Sequence, residues 1–161
     1  MMKNKNGFTL VELMVTIVIA GIIITVGIPS LTAVYEGVRV NSNIERINSI
    51  MSFARNQAIS YGATVNVCPF ASTTSCGTDW KGGVRVYLTD ASGTDKELRV
   101  IDSFNSKDSV KGSGSLITFR ADGLSSGGSI IYCPNGKSSE SKSLLISSSG
   151  LISYGADGNS C

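Results

Sequence analysis

The feature that most constrains this chain is a near-continuous apolar run from Phe8 to Ile28 that holds one ionisable group, Glu12. About 20 apolar residues suffice to cross a bilayer as a helix. An acid inside such a segment costs roughly 2.5–3.5 kcal/mol at a helix centre. A chain that keeps one there is expected to use it. The leader before the run carries Lys3 and Lys5 and no acid, so the positive-inside rule holds it on the cytoplasmic side. A secretory signal is cut after its apolar stretch at a small-x-small site, and this stretch offers no Ala-x-Ala. The predicted cut lies in front of it, between Gly7 and Phe8, and leaves the anchor on the mature protein.

The residues Gly7-Phe8-Thr9-Leu10-Val11-Glu12 behind a short basic leader resemble the class III signal of type IV pilins and type II secretion pseudopilins. The resemblance runs from Lys3 to about Leu31. It implies a membrane peptidase that cuts after Gly7 and N-methylates Phe8. It also implies that the Glu12 carboxylate meets the positive N-terminus of a neighbouring subunit, and that Pro29 kinks the helix. Pairing agrees with elementary electrostatics, since a carboxylate and an ammonium in hydrocarbon each cost far less together than apart. The expected organisation is a leader over 1–7, a transmembrane and assembly helix over 8–30, and a periplasmic or extracellular globular domain over 31–161.

The part beyond the membrane run is ~130 residues, a usual size for one core. The chain has 14 Lys and Arg against 12 Asp and Glu. Loss of the two leader lysines brings the side chains into balance, which argues against broad attraction to nucleic acid or anionic lipid. Histidine is absent, which excludes His-based acid–base chemistry, a Ser-His-Asp triad and His metal sites. Asp90, Asp95 and Asp122 sit in Gly/Ser-rich segments where Asp forms turns. Gly112-Ser113-Gly114 and Gly127-Gly128 lack the Gly-Lys-Ser/Thr of a phosphate loop. No catalytic residue, metal or cofactor is expected.

Cys68, Cys76, Cys133 and Cys161 all follow the membrane run, on the exported side. An even count there reads as two disulfides, with three pairings open. Cys68 and Cys76 bracket a short polar loop and are the expected partners. Cys133 then pairs with Cys161 and holds down the terminus. A four-cysteine zinc site is the rival reading, but no two cysteines have the spacing of a paired-ligand knuckle.

Beyond Pro29 the residues Ile44, Ile47, Met51, Ala54 and Ala58 step by three and four along one helix face. Arg39, Asn41, Asn43, Glu45, Arg46 and Asn48 lie mostly off that stripe. One helix from about Phe8 to Ser60, ending near Gly62, is predicted. The period then changes to two. Short strands are expected at 64–68, 83–88, 98–101, 116–119, 130–133, 144–147 and 151–154, separated by turn residues. The fold class is α+β: a long N-terminal helix packed on an antiparallel sheet with two disulfides.

Ala54-Arg55-Asn56-Gln57-Ala58-Ile59, Val65-Asn66-Val67-Cys68-Pro69, Phe119-Arg120-Ala121-Asp122-Gly123 and Tyr132-Cys133-Pro134-Asn135-Gly136 resemble the GspH/FimT/FimU branch of minor pilins and pseudopilins. That resemblance implies a structural subunit of a type IV pilus, not an enzyme, at the tip or in a priming complex, supporting pilus biogenesis, twitching motility or adhesion. Its partners would be other minor pilins, the major pilin and the prepilin peptidase. Its location would be the inner membrane and then the pilus. One alternative is a DNA-binding minor pilin for natural transformation. FimT-type relatives of that kind carry Gly-Arg-x-Arg, where this chain has Gly150-Leu151-Ile152-Ser153, so DNA is an unexpected partner. The other alternative is a GspH-like minor pseudopilin of a type II secretion system.

Overall fold

The computed structural model describes residues 7–161, except for the side chains of 26–30. Lys3 and Lys5 lie outside the described residues, and so does the expected action of the Pro29 ring on its helix. Helix α1 spans Leu10–Tyr61, two residues inside the predicted start and one beyond the predicted end. The chain divides into two units, Met1–Glu36 and Gly37–Cys161.

From Leu10 to Thr25 every side chain of α1 is exposed, and apart from Glu12, Thr16 and Thr25 none is polar. A helix of this kind is covered by lipid or by other helices. Two threonines in this stretch return their hydroxyls to the helix itself. Thr16 Oγ1 donates to the Leu13 carbonyl at 2.8 Å, and Thr25 Oγ1 donates to the Ile22 carbonyl at 3.0 Å. No helix among the described residues is long and apolar enough to cross a membrane over an 18-residue window. The described side chains of the run stop at Thr25, and the sequence continues it with Val26-Gly27-Ile28.

In the second unit α1 supplies one wall of the core. Ile44, Ile47, Met51, Ala54 and Ala58, together with Val40 and Ile50, are at most 3% exposed. The helix ends in a Schellman motif. Gly62 takes φ +60°, its N–H reaches the Ile59 carbonyl, and the Ala63 N–H reaches the Ala58 carbonyl.

Eight strands follow: β1 (Val65–Pro69), β2 (Val84–Thr89), β3 (Asp95–Ile101), β4 (Ser109–Gly112), β5 (Ile117–Phe119), β6 (Gly128–Cys133), β7 (Lys142–Ile146) and β8 (Ile152–Tyr154). They form two four-stranded antiparallel sheets, ordered β3-β2-β1-β5 and β4-β6-β7-β8, where one sheet was expected. Strand β1 is central in the first sheet. Val65 and Val67 point inward with Val84, Val86, Ile117 and Phe119, all at most 1% exposed. The second sheet contributes Val110, Ile130, Tyr132, Leu144 and Ile146 to the same core.

Two local expectations are corrected. Strand β4 was not expected, because Val110 is its one apolar residue. Asp95 lies in β3 rather than in a turn; there it accepts from Thr89 Oγ1 at 2.8 Å. The stretch 138–143 holds a 3₁₀ turn over Ser138–Glu140 and the start of β7. Asp90 and Asp122 are turn formers. Asp90 Oδ1 accepts from the Ser92 and Thr94 N–H groups, and Asp122 Oδ1 accepts from the Leu124 N–H.

Disulfides join Cys68 to Cys76 and Cys133 to Cys161, with Cα–Cα distances of 5.7 and 6.3 Å. The second closes a C-terminal strap over β7. In that strap the Gly155 and Gly158 N–H groups donate to the Ser143 and Ser141 carbonyls, and the Ser143 hydroxyl donates to the Ala156 carbonyl. Both serines are buried as a result.

Candidate assembly and interaction sites

Glu12 lies in the first turn of α1 and is bonded back to the residue that starts it. Thr9 Oγ1 accepts from the Glu12 N–H at 3.2 Å. Glu12 Oε2 accepts from the Thr9 N–H at 3.2 Å and from the Thr9 hydroxyl at 3.3 Å. This is a reciprocal capping box, which satisfies two donors that a helix start leaves unpaired. It also sets the carboxylate at the positive end of the helix dipole. The spacing Thr-x-x-Glu before an apolar run is a known sequence signal for this motif, so the cap was readable alongside the processing motif. Gly7 and Phe8 are both exposed.

A second polar cluster ties the start of the second unit together. Asp108 is 1% exposed, yet its carboxylate is fully engaged. Arg39 Nη2 lies 2.7 Å from Oδ1, the Asn135 N–H donates to the same oxygen at 2.9 Å, and the Tyr132 hydroxyl donates to Oδ2 at 2.5 Å. Asn43 Nδ2 donates to the Tyr132 hydroxyl oxygen at 2.8 Å. Asn43, placed off the apolar stripe by its spacing, is therefore inside, at 8% exposure. The network joins α1, the β3–β4 loop and the turn after Cys133. Burial, and then the bond to Asp108, raise the Tyr132 pKa well above the ordinary phenol value. The folded state holds the phenol proton more tightly than the unfolded chain does. This contribution to stability is complete below pH ~10 and is lost as the pH rises past it.

Arg85 is 1% exposed in β2. Its Nε donates to the Thr73 carbonyl at 3.1 Å, its Nη1 lies 3.5 Å from Asp95, and its guanidinium stacks over Tyr87 at 4.2 Å. It thereby fastens the Cys68–Cys76 loop to β2 and β3. At the other end of α1, Arg55 Nε donates to the Gly123 carbonyl at 3.2 Å, beside Gly150 at φ +76°. Gly150 opens the tail in which relatives of the DNA-binding kind carry arginines. Here Leu151 and Ser153 are exposed. From Arg120 onward the cations each lie against an acid: Arg120 with Asp122, Lys137 with Glu140, and Lys142 with Asp157. Among the described residues, no cluster of His, Cys, Asp and Glu is arranged to hold a metal ion.

This combination of a capped apolar helix with a disulfide-pinned α+β unit is that of a pilin-like subunit. Residues 43–150 match the model of the type II transport protein GspH family, and residues 2–28 match the prokaryotic N-terminal methylation motif. The chain belongs to the GspH family of minor pilins and pseudopilins. Among solved structures it is similar to the type IV minor pilin FimU of Pseudomonas aeruginosa, at 25% identity and a TM-score of 0.60 over 73% of this chain and 88% of that one. A second crystal form of FimU gives a TM-score of 0.58. The minor pseudopilin EpsH from the type 2 secretion system of Vibrio cholerae shares the fold, at 8% identity and a TM-score of 0.58 over 73% of this chain and 97% of that one. Family and fold are those of structural pilins.

Proposed function

We propose that this chain is a non-enzymatic minor pilin of a type IV pilus, inserted in the inner membrane by residues 8–30, cut between Gly7 and Phe8, methylated on Phe8 and packed into the filament through its N-terminal helix. Its partners are other minor pilins, the major pilin and the prepilin peptidase, and its place is at the tip or in a priming complex. The observation that carries this is the exposed, all-apolar start of α1 with Glu12 at its first turn, in a chain that matches the methylation motif over that segment. Once the leader is gone, the new amine sits one residue before the cap. The Glu12 carboxylate then exchanges its bonds to Thr9 for a neighbour's ammonium.

Glu12→Ala tests this assembly role. Insertion is not weakened, because the segment becomes more apolar. Loss of the capping partner costs the helix about 1 kcal/mol. The larger loss is of pairing with a neighbour, so sheared filaments should hold the variant well below parental levels while membranes hold it equally. Equal amounts in filaments would remove Glu12 from assembly.

Similarity to EpsH favours a second reading, a minor pseudopilin of a type II secretion system. Deletion of the gene separates the two: loss of surface filaments and twitching supports the pilus, and loss of exoprotein secretion supports the secretion system. A DNA-receptor role is not favoured. The chain should show no duplex binding in the 10⁻⁴–10⁻⁶ M range of non-specific binders at ~150 mM salt. Leu151→Arg with Ser153→Arg should create salt-sensitive binding, because both positions are exposed. A gel shift reads both, and micromolar binding by the parent would reinstate the competence role.

A further inference from the structure

The loop between Cys68 and Cys76 lies over the outer face of the first sheet. Val84 and Val86 of β2 turn into the core, so Arg85 between them points the other way. Cys68 stands opposite Arg85 in the β1–β2 ladder and shares that outer face. Both are nevertheless buried, at 0% and 1% exposure. The loop covers them, since Arg85 Nε donates to the Thr73 carbonyl and Cys68 is bonded to Cys76. Cys76 itself is exposed. The disulfide therefore joins a residue within reach of solvent to one that is out of reach.

The loop is weakly anchored apart from this bond. Among the described residues, the hydrophobic core takes none from 69–77. The Ser72 N–H donates within the loop to the Ser75 carbonyl, and the Gly77 N–H closes its base on the Pro69 carbonyl. The strap closed by Cys161 differs. The Ser141 and Ser143 hydroxyls donate to the Asn159 and Ala156 carbonyls, and the Cys161 N–H donates to the Ser138 hydroxyl. Cys161 is only half-exposed, and Cys133 is buried.

The closed loop also leaves a charged pair unfinished. Arg85 Nε is given to Thr73 and stands 3.7 Å from Glu97 Oε2, beyond a hydrogen bond. Arg85 Nη2 and Glu97 Oε2 are both buried, and among the described residues neither has a hydrogen-bond partner. Unpaired buried polar atoms are costly, and those of charged groups more so. With the loop lifted, Arg85 is released from the Thr73 carbonyl and turns to Glu97, and the remaining polar atoms meet water.

We propose that the Cys68–Cys76 disulfide is a thiol-exchange site that latches this loop, opened by an exported protein dithiol while Cys133–Cys161 stays closed. A thiolate of the dithiol attacks the Cys76 sulfur, because Cys68 is out of reach. The new mixed disulfide forms, the Cys68–Cys76 bond breaks, and Cys68 leaves as a thiolate that takes a proton from water. The second thiolate of the dithiol then attacks its own partner sulfur and releases Cys76. Two electrons pass to the latch, and the dithiol ends as a disulfide. Strand β1 keeps its ladders to β2 and β5 throughout. The loop moves off Arg85 and the core stays folded.

The compartment of the dithiol rests on the export proposed above. The test does not, because it uses the full-length chain in detergent. Reduced and oxidised dithiothreitol are mixed in graded ratios at pH ~8, and free thiols are alkylated and mapped by peptide mass. Cys68 and Cys76 should be labelled at a ratio at least about tenfold below the one that labels Cys133 and Cys161. The helical circular dichroism should be unchanged at that point. A thioredoxin lacking its resolving cysteine should be trapped on Cys76 and not on Cys68. Glu97→Gln removes the charge that Arg85 turns to on opening, at a side chain 29% exposed. It should raise the ratio that opens the latch about threefold, the scale of an exposed ion pair, and leave that of Cys133–Cys161 unchanged. Equal ratios for the two bonds, earlier opening of Cys133–Cys161, opening only with loss of the helical signal, trapping on Cys68, or an unchanged latch in Glu97→Gln would overturn the assignment.

Discussion

Asp108→Ala is expected to destabilise the second unit by about 3–5 kcal/mol, the usual consequence of removing one partner of a buried ion pair. Three donors lose their acceptor at once: Arg39, the Asn135 N–H and the Tyr132 hydroxyl. Arg39, with its side chain 15% exposed, loses the 2.7 Å contact to this carboxylate. The α1–loop joint and the turn after Cys133 both depend on this carboxylate, so the effect should spread to the strap closed by Cys161. Thermal unfolding of the full chain followed by circular dichroism measures it. Asp108→Asn keeps the shape and an acceptor oxygen and should cost less than Asp108→Ala. If Asp108→Ala unfolds within about 1 kcal/mol of the parent, a typical surface change, the network does not hold the unit together.

Gly150→Ala is the second large effect. At φ +76° an L-residue is strained by about 1–2 kcal/mol. A Cβ there would also press into the Gly123 carbonyl oxygen and come within 2.9 Å of Arg55 Nε, which adds about 1–3 kcal/mol of displacement. Gly93→Ala separates the two contributions. Gly93 has a similar φ of +82°, but its Cβ would meet open space, so it should show the conformational cost alone. Equal losses at the two positions would mean that the Arg55–Gly123–Gly150 contact carries no weight.

How far these features could be read beforehand depends on the range of the interaction behind each. The core stripe of α1 was legible because five apolar residues repeat at helical spacing and nothing polar interrupts them. The end at Gly62 was legible because glycine is the usual residue for a left-handed cap. Strand β4 was not, because Ser109-Val110-Lys111-Gly112 has one apolar residue and so no period to detect. The division into two sheets was not legible either: β1 pairs with β5, far along the chain, and local patterning carries no record of that choice. Asp108, Asn43 and Tyr132 come from three distant segments, and each alone looks like a loop acid, an off-stripe amide and a strand aromatic. Their conjunction exists only in the fold. Arg85 was not legible for a related reason, since an arginine between Val84 and Val86 has the local pattern of a strand's solvent face, and here that face is covered by the Cys68–Cys76 loop. The Thr9–Glu12 cap differs from these. It is local and follows a recognisable spacing, and the same residues also fit a processing signal.

The central claim is that residues 1–7 are removed and that the chain enters a filament by the helix that remains. The intact mass of this chain recovered from sheared surface filaments tests it most directly. The account predicts a mass lacking residues 1–7 and carrying one added methyl on Phe8, with both disulfides intact. A chain that keeps its leader, or one whose N-terminus lies beyond the apolar run, would contradict it.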